Sequence, residues 1–331
     1  METINNKFNE NRVITLWAFS ESILGGFLHL FKIPVTGLLI GGLAIIFLSL
    51  LSYSNNDKKT ILKATLIVLI IKLIISPYTP INAFFSVSIQ GLLCYLFSIT
   101  FNNKYLRIFG FAFFSMIIFS LQKLIFIQLL FGNSLWQAID TYTIFIAKQF
   151  GFVKQFSLSL WLIVFYISIH LLSAIVFSII SLKIISDLQR KDTKLIIIDT
   201  FQEAILFDNL KKKKKKPLKK FILIFLILIL IGISYFFEPQ SKLINYILIV
   251  IRFFSVFILW GFLLSPFLTK LATKFLSKKQ NLYQSEVNDI IISFTAIKKL
   301  SASVWNEIKG NKGIIKYIQF IRLLILTFIK G

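Results

Sequence analysis

The chain has 331 residues, of which 56% are hydrophobic, and its mean hydropathy is +0.80. An average soluble domain is only about 45–50% apolar, so this composition excludes a soluble globular protein. The net charge of +23 arises from 37 lysines and arginines against 14 acidic residues. These basic residues are not interleaved with aromatic side chains on a polar scaffold, so we expect no nucleic-acid partner.

The first half of the chain contains six apolar segments that are long enough to cross a membrane. They cover roughly 13–31, 35–53, 61–76, 81–100, 106–131 and 157–182. A helix needs about 20 mainly apolar residues to cross a hydrocarbon core about 30 Å thick. We therefore predict an all-α polytopic integral membrane protein in which residues 1–190 form a six-helix transmembrane bundle.

The loops between these segments differ in their basic residues. Lys58, Lys59, Lys104 and Arg107 lie in loops on one side of the predicted bundle, whereas the turn over 76–80 has no basic residue. Cytoplasmic loops of membrane proteins are enriched in lysine and arginine. We therefore predict a multi-pass protein of a bacterial plasma (inner) membrane, with both ends of the six-helix unit in the cytoplasm and the lipid bilayer as its surroundings.

The connection over 134–156 is predicted to be a further helix. Apolar residues recur there at helical spacing, and Ser134 is placed to cap the helix. We expect this helix on the outward side, lying in the interface or folding over the bundle.

The second half of the chain divides into three parts. Residues 191–220 are a charged cytoplasmic linker that ends in a polylysine run suited to anionic lipid. Residues 221–270 are predicted to form a hairpin of two transmembrane helices. Residues 271–331 are predicted to be cytoplasmic or interfacial amphipathic helices, of which one covers 282–308. The segment over 314–330 can either span the membrane or lie at its interface.

Small residues form stripes on the first two predicted spans, because several of them lie four positions apart. Such stripes let helix backbones approach closely inside a membrane. The residues predicted for helix packing or partner docking are Ala18, Ser22, Gly25, Gly26, Gly37 and Gly41.

Polar side chains gather toward the outward side of the predicted bundle. The candidates for binding a solute are Glu21, His29, Lys72, Gln90, Gln122, Lys123 and Asp140. Ionisable residues inside a membrane mark functional sites, and the two lysines favour an anionic group. We therefore predict an outward-facing cavity for a small solute. Two other interpretations stay open: the lysines reach out to the headgroups, and Glu21 belongs to a structural network with its neighbouring serines.

Several enzyme and cofactor motifs are absent from the sequence. It contains no GxxxxGK[ST], no HExxH and no GxSxG, and it has only two histidines and one cysteine, Cys94. These absences argue against nucleotide binding through a P-loop, against a histidine-rich metal site and against a serine nucleophile turn. We expect no enzymatic activity, no cofactor and no metal ion.

Three features carry a resemblance to a known family. They are six short helices with cytoplasmic ends, the stripe Ala18-x-x-x-Ser22 on the first helix, and the segment ILKATLIVLIIKLIISPYTPINAFFSVSIQGLL over 61–93. In these features residues 1–190 resemble the substrate-binding S component of energy-coupling-factor vitamin transporters. The resemblance implies that the stripe docks on a transmembrane coupling subunit, that the cavity captures a small molecule, and that ATPase subunits reside on other chains.

Two hypotheses of function follow from the sequence. The first is a membrane transport component that binds a small solute, with a preference for an anionic one, from the outside. The alternative is a non-catalytic membrane scaffold or anchor that recruits partners through its cytoplasmic C-terminal helices.

Overall fold

The computed structural model describes residues 9–30, 36–54, 57–76, 81–151, 157–190, 270–271, 274–275, 279, 281–310 and 313–330. Over these residues the secondary structure is helical and contains no strand, which confirms the all-α prediction. The predicted linker over 191–220 lies outside the described residues. The predicted hairpin over 221–270 does so too, apart from its last residue.

The described helices follow one another in this order: α1 (Glu10–Phe19), α2 (Gly25–Leu30), α3 (Thr36–Ser54), α4 (Lys59–Ile75), α5 (Ile81–Thr100), α6 (Lys104–Phe131), α7 (Asn133–Gln149), α8 (Leu158–Gln189), α9 (Gln284–Glu307) and α10 (Gly313–Lys330). A π-helical turn, Ser20–Leu24, joins α1 to α2, and a short 3-10 turn, Asn281–Tyr283, precedes α9.

Four of the described helices are long and apolar enough to cross a membrane, which confirms the membrane character of the chain. They are Thr36–Ser54, Asn82–Thr100, Lys104–Gln128 and Leu158–Gln189. Helix α8 exposes most of its apolar surface, as expected of a helix that faces lipid, whereas α3 is mostly buried inside the protein.

Helix α3 lies at the centre of the described fold and contacts α1, α4, α5, α6 and α8. A helix that is apolar on all sides needs other helices around it or lipid. In α3 the side chains of Ala44, Ile45, Ile46 and Leu48 are completely buried by the neighbouring helices. The contacts of α4 with the turn over Ser20–Leu24 bring the end of α4 next to the end of α1.

Glycines allow close contacts between these helices. A Cβ atom at Gly91 of α5 would lie 2.0 Å from Thr65 Oγ1 and 2.8 Å from Thr65 Cβ on α4. A Cβ at Gly41 would lie 2.8 Å from the ring of Phe119. At Gly37, by contrast, a Cβ would meet no described atom within 4 Å. Of the two glycines predicted for packing on α3, therefore, Gly41 makes a tight contact and Gly37 makes none with the described residues.

Replacing Gly91 with alanine should destabilise the protein by about 1–3 kcal/mol, a typical cost of overpacking. Thr65 cannot move aside easily, since its Cβ is fixed to α4 and its hydroxyl donates to Ile61 O at 2.7 Å. Thermal unfolding of the purified protein in detergent measures the change. Gly37→Ala is the matched control and should leave the midpoint unchanged or slightly raised; equal losses in the two variants would contradict the α4–α5 contact.

The amphipathic helix predicted over 282–308 is present as α9, and its apolar face packs against α1. The buried residues of this face are Val287, Ile290, Phe294, Ile297, Leu300 and Val304. The rings of Phe19 and Phe294 meet edge to face at 5.4 Å. At the start of α9, Glu286 pairs with Lys63 of α4 at 2.7 Å. The surface that the scaffold hypothesis assigns to partners is thus covered within the chain.

Helix α10 contacts α9, α8 and α1. Arg12 at the start of α1 donates to the carbonyl oxygen of Phe328 at 3.3 Å, near the end of α10. Arg322 donates through Nε to Asp187 Oδ2 of α8 at 2.6 Å. These polar contacts tie the end of the chain to the beginning of the first helix and to the end of α8.

The helix predicted over 134–156 is present as α7, but its predicted cap is wrong. The N-cap position is occupied by Gly132, which has a φ of +62° and offers no side chain. Glycine adopts this left-handed conformation without steric cost, so the chain can turn sharply between α6 and α7. Ser134 instead donates its hydroxyl hydrogen to Phe131 O at the end of α6.

Candidate functional site

A π-helical turn interrupts the first apolar segment at Ser20–Leu24. In this turn the N–H of Gly25 bonds to Ser20 O, five residues earlier, instead of the fourth residue back. Such turns are rare and are often found at functional sites. The turn contains three buried polar residues, Ser20, Glu21 and Ser22. It therefore concentrates polar groups in a segment that is otherwise apolar.

Glu21 forms a buried ion pair with Lys72, which lies in the last turn of α4. The distance between Lys72 Nζ and Glu21 Oε2 is 2.6 Å, and the side chains are only 5% and 4% exposed. The two charges neutralise each other where water cannot solvate them. Removal of two charges from water is costly, and their attraction offsets this cost only when the geometry is good.

A second polar contact joins the same two elements. Ser76, immediately after α4, donates its hydroxyl hydrogen to Ser22 O at 2.9 Å. A Cβ at Gly26 would lie 3.2 Å from Ser76 Oγ, so the glycine leaves room for the end of α4. The π turn and the end of α4 are thus held together both by an ion pair and by a hydrogen bond.

Eight buried polar side-chain atoms have no hydrogen-bond partner among the described residues. Two of them belong to the predicted solute or packing residues: Ser22 Oγ, next in sequence to Glu21, and Gln90 Oε1 on α5. The amide nitrogen of Gln90 donates to Gly41 O at 3.2 Å, so only its oxygen is unsatisfied. A buried polar group without a partner costs about 1–3 kcal/mol, and each such group calls for a functional or solvent-based explanation.

The other predicted solute residues of the bundle lie in different surroundings. Gln122 Oε1 accepts from the Ser86 hydroxyl at 3.1 Å, across the contact between α5 and α6. Lys123 is exposed, and its Nζ lies 5.6 Å from the centre of the Tyr166 ring. The side chain of His29 lies outside the described part of the chain. Since Lys72 is buried and Lys123 is exposed, the structure does not bring the two lysines into one environment.

Asp140 on α7 caps the start of α8. Its Oδ1 accepts from the Ser159 N–H at 2.8 Å, and its Oδ2 accepts from the hydroxyls of Ser159 and Ser157 at 2.8 and 3.0 Å. The hydrogen bonds from Ser159 and Ser157 hold the pKa of Asp140 below its usual value. Ser157 makes no side-chain cap of its own, so a carboxylate from another helix takes that place.

Replacing Asp140 with asparagine should lower the unfolding midpoint at neutral pH, because the negative charge at the start of α8 is lost. The folded pKa of Asp140 is depressed, so its contribution is complete above the unfolded pKa of about 3.9 and fades as the pH falls through the folded pKa. Thermal unfolding across this range should show the two proteins converging at acidic pH. Asp289→Asn on α9 is the control; a midpoint difference that is independent of pH would contradict the assignment.

The two best-defined cavities in the described part of the chain lie away from the ion pair. One lies between α6 and α8, has a volume of about 260 Å³ and is lined by Phe109, Gly110, Phe113, Ala174 and Ile175. The other lies between α8 and α10. Neither is lined by a residue of the predicted solute site. The Glu21–Lys72 pair is enclosed by protein, since its side chains are almost completely buried.

The small-residue stripe of the first helix is buried inside the protein. Ala18 and Ser22 are fully or almost fully buried, and α1 is in contact with α3, α4, α9 and α10. The small residues thus let the chain's own helices approach. Docking of this stripe on a coupling subunit stays a prediction, and it would require these helices to move.

Sequence reasoning selected Glu21 and Lys72 but did not pair them. The available signal was their opposite charge on two apolar segments that are both predicted to run outward from the cytoplasm. Glu21 is predicted near mid-depth and Lys72 farther outward, and the long lysine side chain can reach back about one helical turn. The capping role of Asp140 had no comparable signal, since it depends on the contact between α7 and α8.

Comparison of the chain with protein-family models, with curated proteins and with solved structures finds no match.

Proposed function

We propose that this chain is a membrane transport component that binds a small solute from outside, with the Glu21–Lys72 pair as its polar centre. In this proposal residues 1–190 act as a six-helix bundle in the plasma membrane of a bacterium, with both ends in the cytoplasm. The observation that carries the proposal is the buried ion pair at 2.6 Å inside an apolar bundle.

A buried ion pair is a poor device for stability alone. Well-packed apolar residues of similar volume often stabilise a protein as well or better. Ionisable groups inside a membrane are therefore functional candidates by default. Here the carboxylate lies within the π turn, and the hydroxyl of Ser22, next in sequence, has no hydrogen-bond partner among the described residues.

The pair supplies a simple mode of binding for an anionic solute. In the closed state Glu21 neutralises Lys72. An entering anionic group takes the place of the carboxylate on Lys72, while Ser22 offers a hydroxyl to the solute or to the released carboxylate. Because the pair is enclosed, binding requires the π turn and the end of α4 to separate.

The energy source is proposed to lie on other chains. The resemblance of residues 1–190 to an S component supports ATPase subunits and a transmembrane coupling subunit as partners. The scaffold alternative lacks a comparable observation, because the apolar face of α9 already packs on α1.

Mass spectrometry of small molecules released from the purified full chain tests this proposal. The variant Glu21→Gln/Lys72→Met removes both charges and leaves no unpaired one behind, and Lys63→Met/Glu286→Gln makes the same changes in the more exposed pair. We expect a solute in the wild type and the control, and a loss of about tenfold or more in the first variant. Equal retention in all three proteins, or no solute in any, would contradict the proposal.

A further inference from the structure

A cavity lies between the end of α8 and α10. Its volume is about 260 Å³, and it is lined by Ile180, Lys183, Ile184, Ile318, Gln319 and Arg322. This volume corresponds to roughly nine water molecules at about 30 Å³ each, so a phosphate group with part of a glycerol fits inside. The walls combine isoleucine side chains with two cationic groups, as a site for an amphiphilic anion requires.

The two cationic groups are arranged to bind a phosphate. Asp187 accepts from Arg322 Nε at 2.6 Å and so fixes the plane of the guanidinium group. The terminal nitrogens of Arg322 make no hydrogen bond to the described residues. Lys183 is exposed and has no ion-pair partner in the described ranges. A fixed guanidinium fork binds phosphate oxygens in a bidentate manner, and a lysine adds a mobile point charge.

The charge around this cavity is strongly positive. Lys330 Nζ donates to the carbonyl oxygens of Asp187 and Arg190, at 3.1 and 2.6 Å. Among the described residues, Lys183 and Arg322 line the cavity and Lys330 lies at the end of α8 beside it, while Asp187 supplies one carboxylate. This surplus of two positive charges among the described residues favours an anion over a zwitterion.

The adjoining surface of α8 indicates what the anion is attached to. Ile175, Val176 and Ile179 are 46%, 49% and 53% exposed, and they lie on the turns of α8 just before the cavity. Helix α8 is also one of the four helices able to cross a membrane. An apolar, exposed surface therefore runs along the helix toward a basic cavity near the helix end.

We propose that this cavity binds the phosphate headgroup of an anionic phospholipid whose acyl chains lie along α8. Arg322 and Lys183 contact the phosphate oxygens, and the isoleucines contact the glycerol and the first methylene groups. The site is independent of the Glu21–Lys72 pair and of the solute proposal.

Native mass spectrometry of the delipidated full chain tests this site, with phosphatidylglycerol, phosphatidylcholine and glycerol phosphate as separate probes. We expect phosphatidylglycerol to bind more tightly than either of the others. Lys183→Gln should weaken its binding about fivefold, whereas Lys298→Gln on the exposed face of α9 should not. Arg322→Lys keeps a cation for Asp187 but loses the fork, and it should also weaken phosphatidylglycerol binding.

Three results would overturn the assignment. Equal affinity for phosphatidylcholine would show that the headgroup charge is not recognised. Equal affinity for glycerol phosphate would show that the site takes a soluble phosphate and not a lipid. Identical phosphatidylglycerol binding by Lys183→Gln and Lys298→Gln would place the lipid elsewhere.

Discussion

Replacing Lys72 alone with methionine is expected to destabilise the protein by about 3–5 kcal/mol, because Glu21 then remains as a buried charge without a partner. The expected loss follows from the 2.6 Å contact and the near-complete burial of both side chains. Unfolding of the full chain in detergent, followed by tryptophan fluorescence, measures it. A test of solute binding that replaces Lys72 alone would therefore confuse loss of the fold with loss of the site.

Adding Glu21→Gln to Lys72→Met should reverse most of this loss of stability. In Glu21→Gln/Lys72→Met no charge is left unpaired, so most of the stability should return. The control is Lys63→Met, which breaks a pair of the same residue types with side chains 41% and 32% exposed. Exposed pairs contribute about 0–1 kcal/mol. If Lys72→Met cost no more than Lys63→Met, the pair would not be buried in the folded protein.

Replacing Phe294 with alanine is expected to cost about 3–5 kcal/mol, the range for a large aromatic side chain in a core. Phe294 is buried on α9, and its ring meets Phe19 of α1 edge to face. The same unfolding measurement applies. Loss of the Phe294 side chain should also loosen α9 from α1. Limited proteolysis should therefore cut near the start of α9 sooner than in the wild type.

Ile292→Ala is the matched control for Phe294, because Ile292 lies on the same helix with 42% of its surface exposed. Exposed substitutions of this kind usually change stability by less than about 0.5 kcal/mol. A similar small loss in both variants would mean that α9 does not pack on α1, and the partner-recruiting face of the scaffold hypothesis would then be free.

The helices of the first half could be predicted because each needs only a long apolar run with polar residues at its ends. The amphipathic face of α9 was predicted for a similar reason, since its apolar residues recur with helical spacing. Both signals are local in sequence. They identify an element and its apolar side but contain no information about which other element covers that side.

The contacts between distant segments could not be predicted in this way. Phe294 lies 275 positions after Phe19, and no pattern in either helix specifies the other as its neighbour. Asp140 was a candidate ligand because it lies on the outward connecting helix, yet its oxygens cap α8. The pairing of Glu21 with Lys72 was accessible in principle, since opposite charges in apolar segments have few other partners and a lysine side chain can reach one helical turn back.

The proposed solute site depends on direct charge pairing between Glu21 and Lys72, and exchanging the two charges tests this pairing. Glu21→Lys and Lys72→Glu each place like charges together and should unfold the protein at markedly lower temperature. The double variant restores an opposite pair, and its unfolding midpoint should return most of the way to that of the wild type. A double variant that is as unstable as the sum of its single changes would contradict the pairing and remove the basis of the proposed solute site.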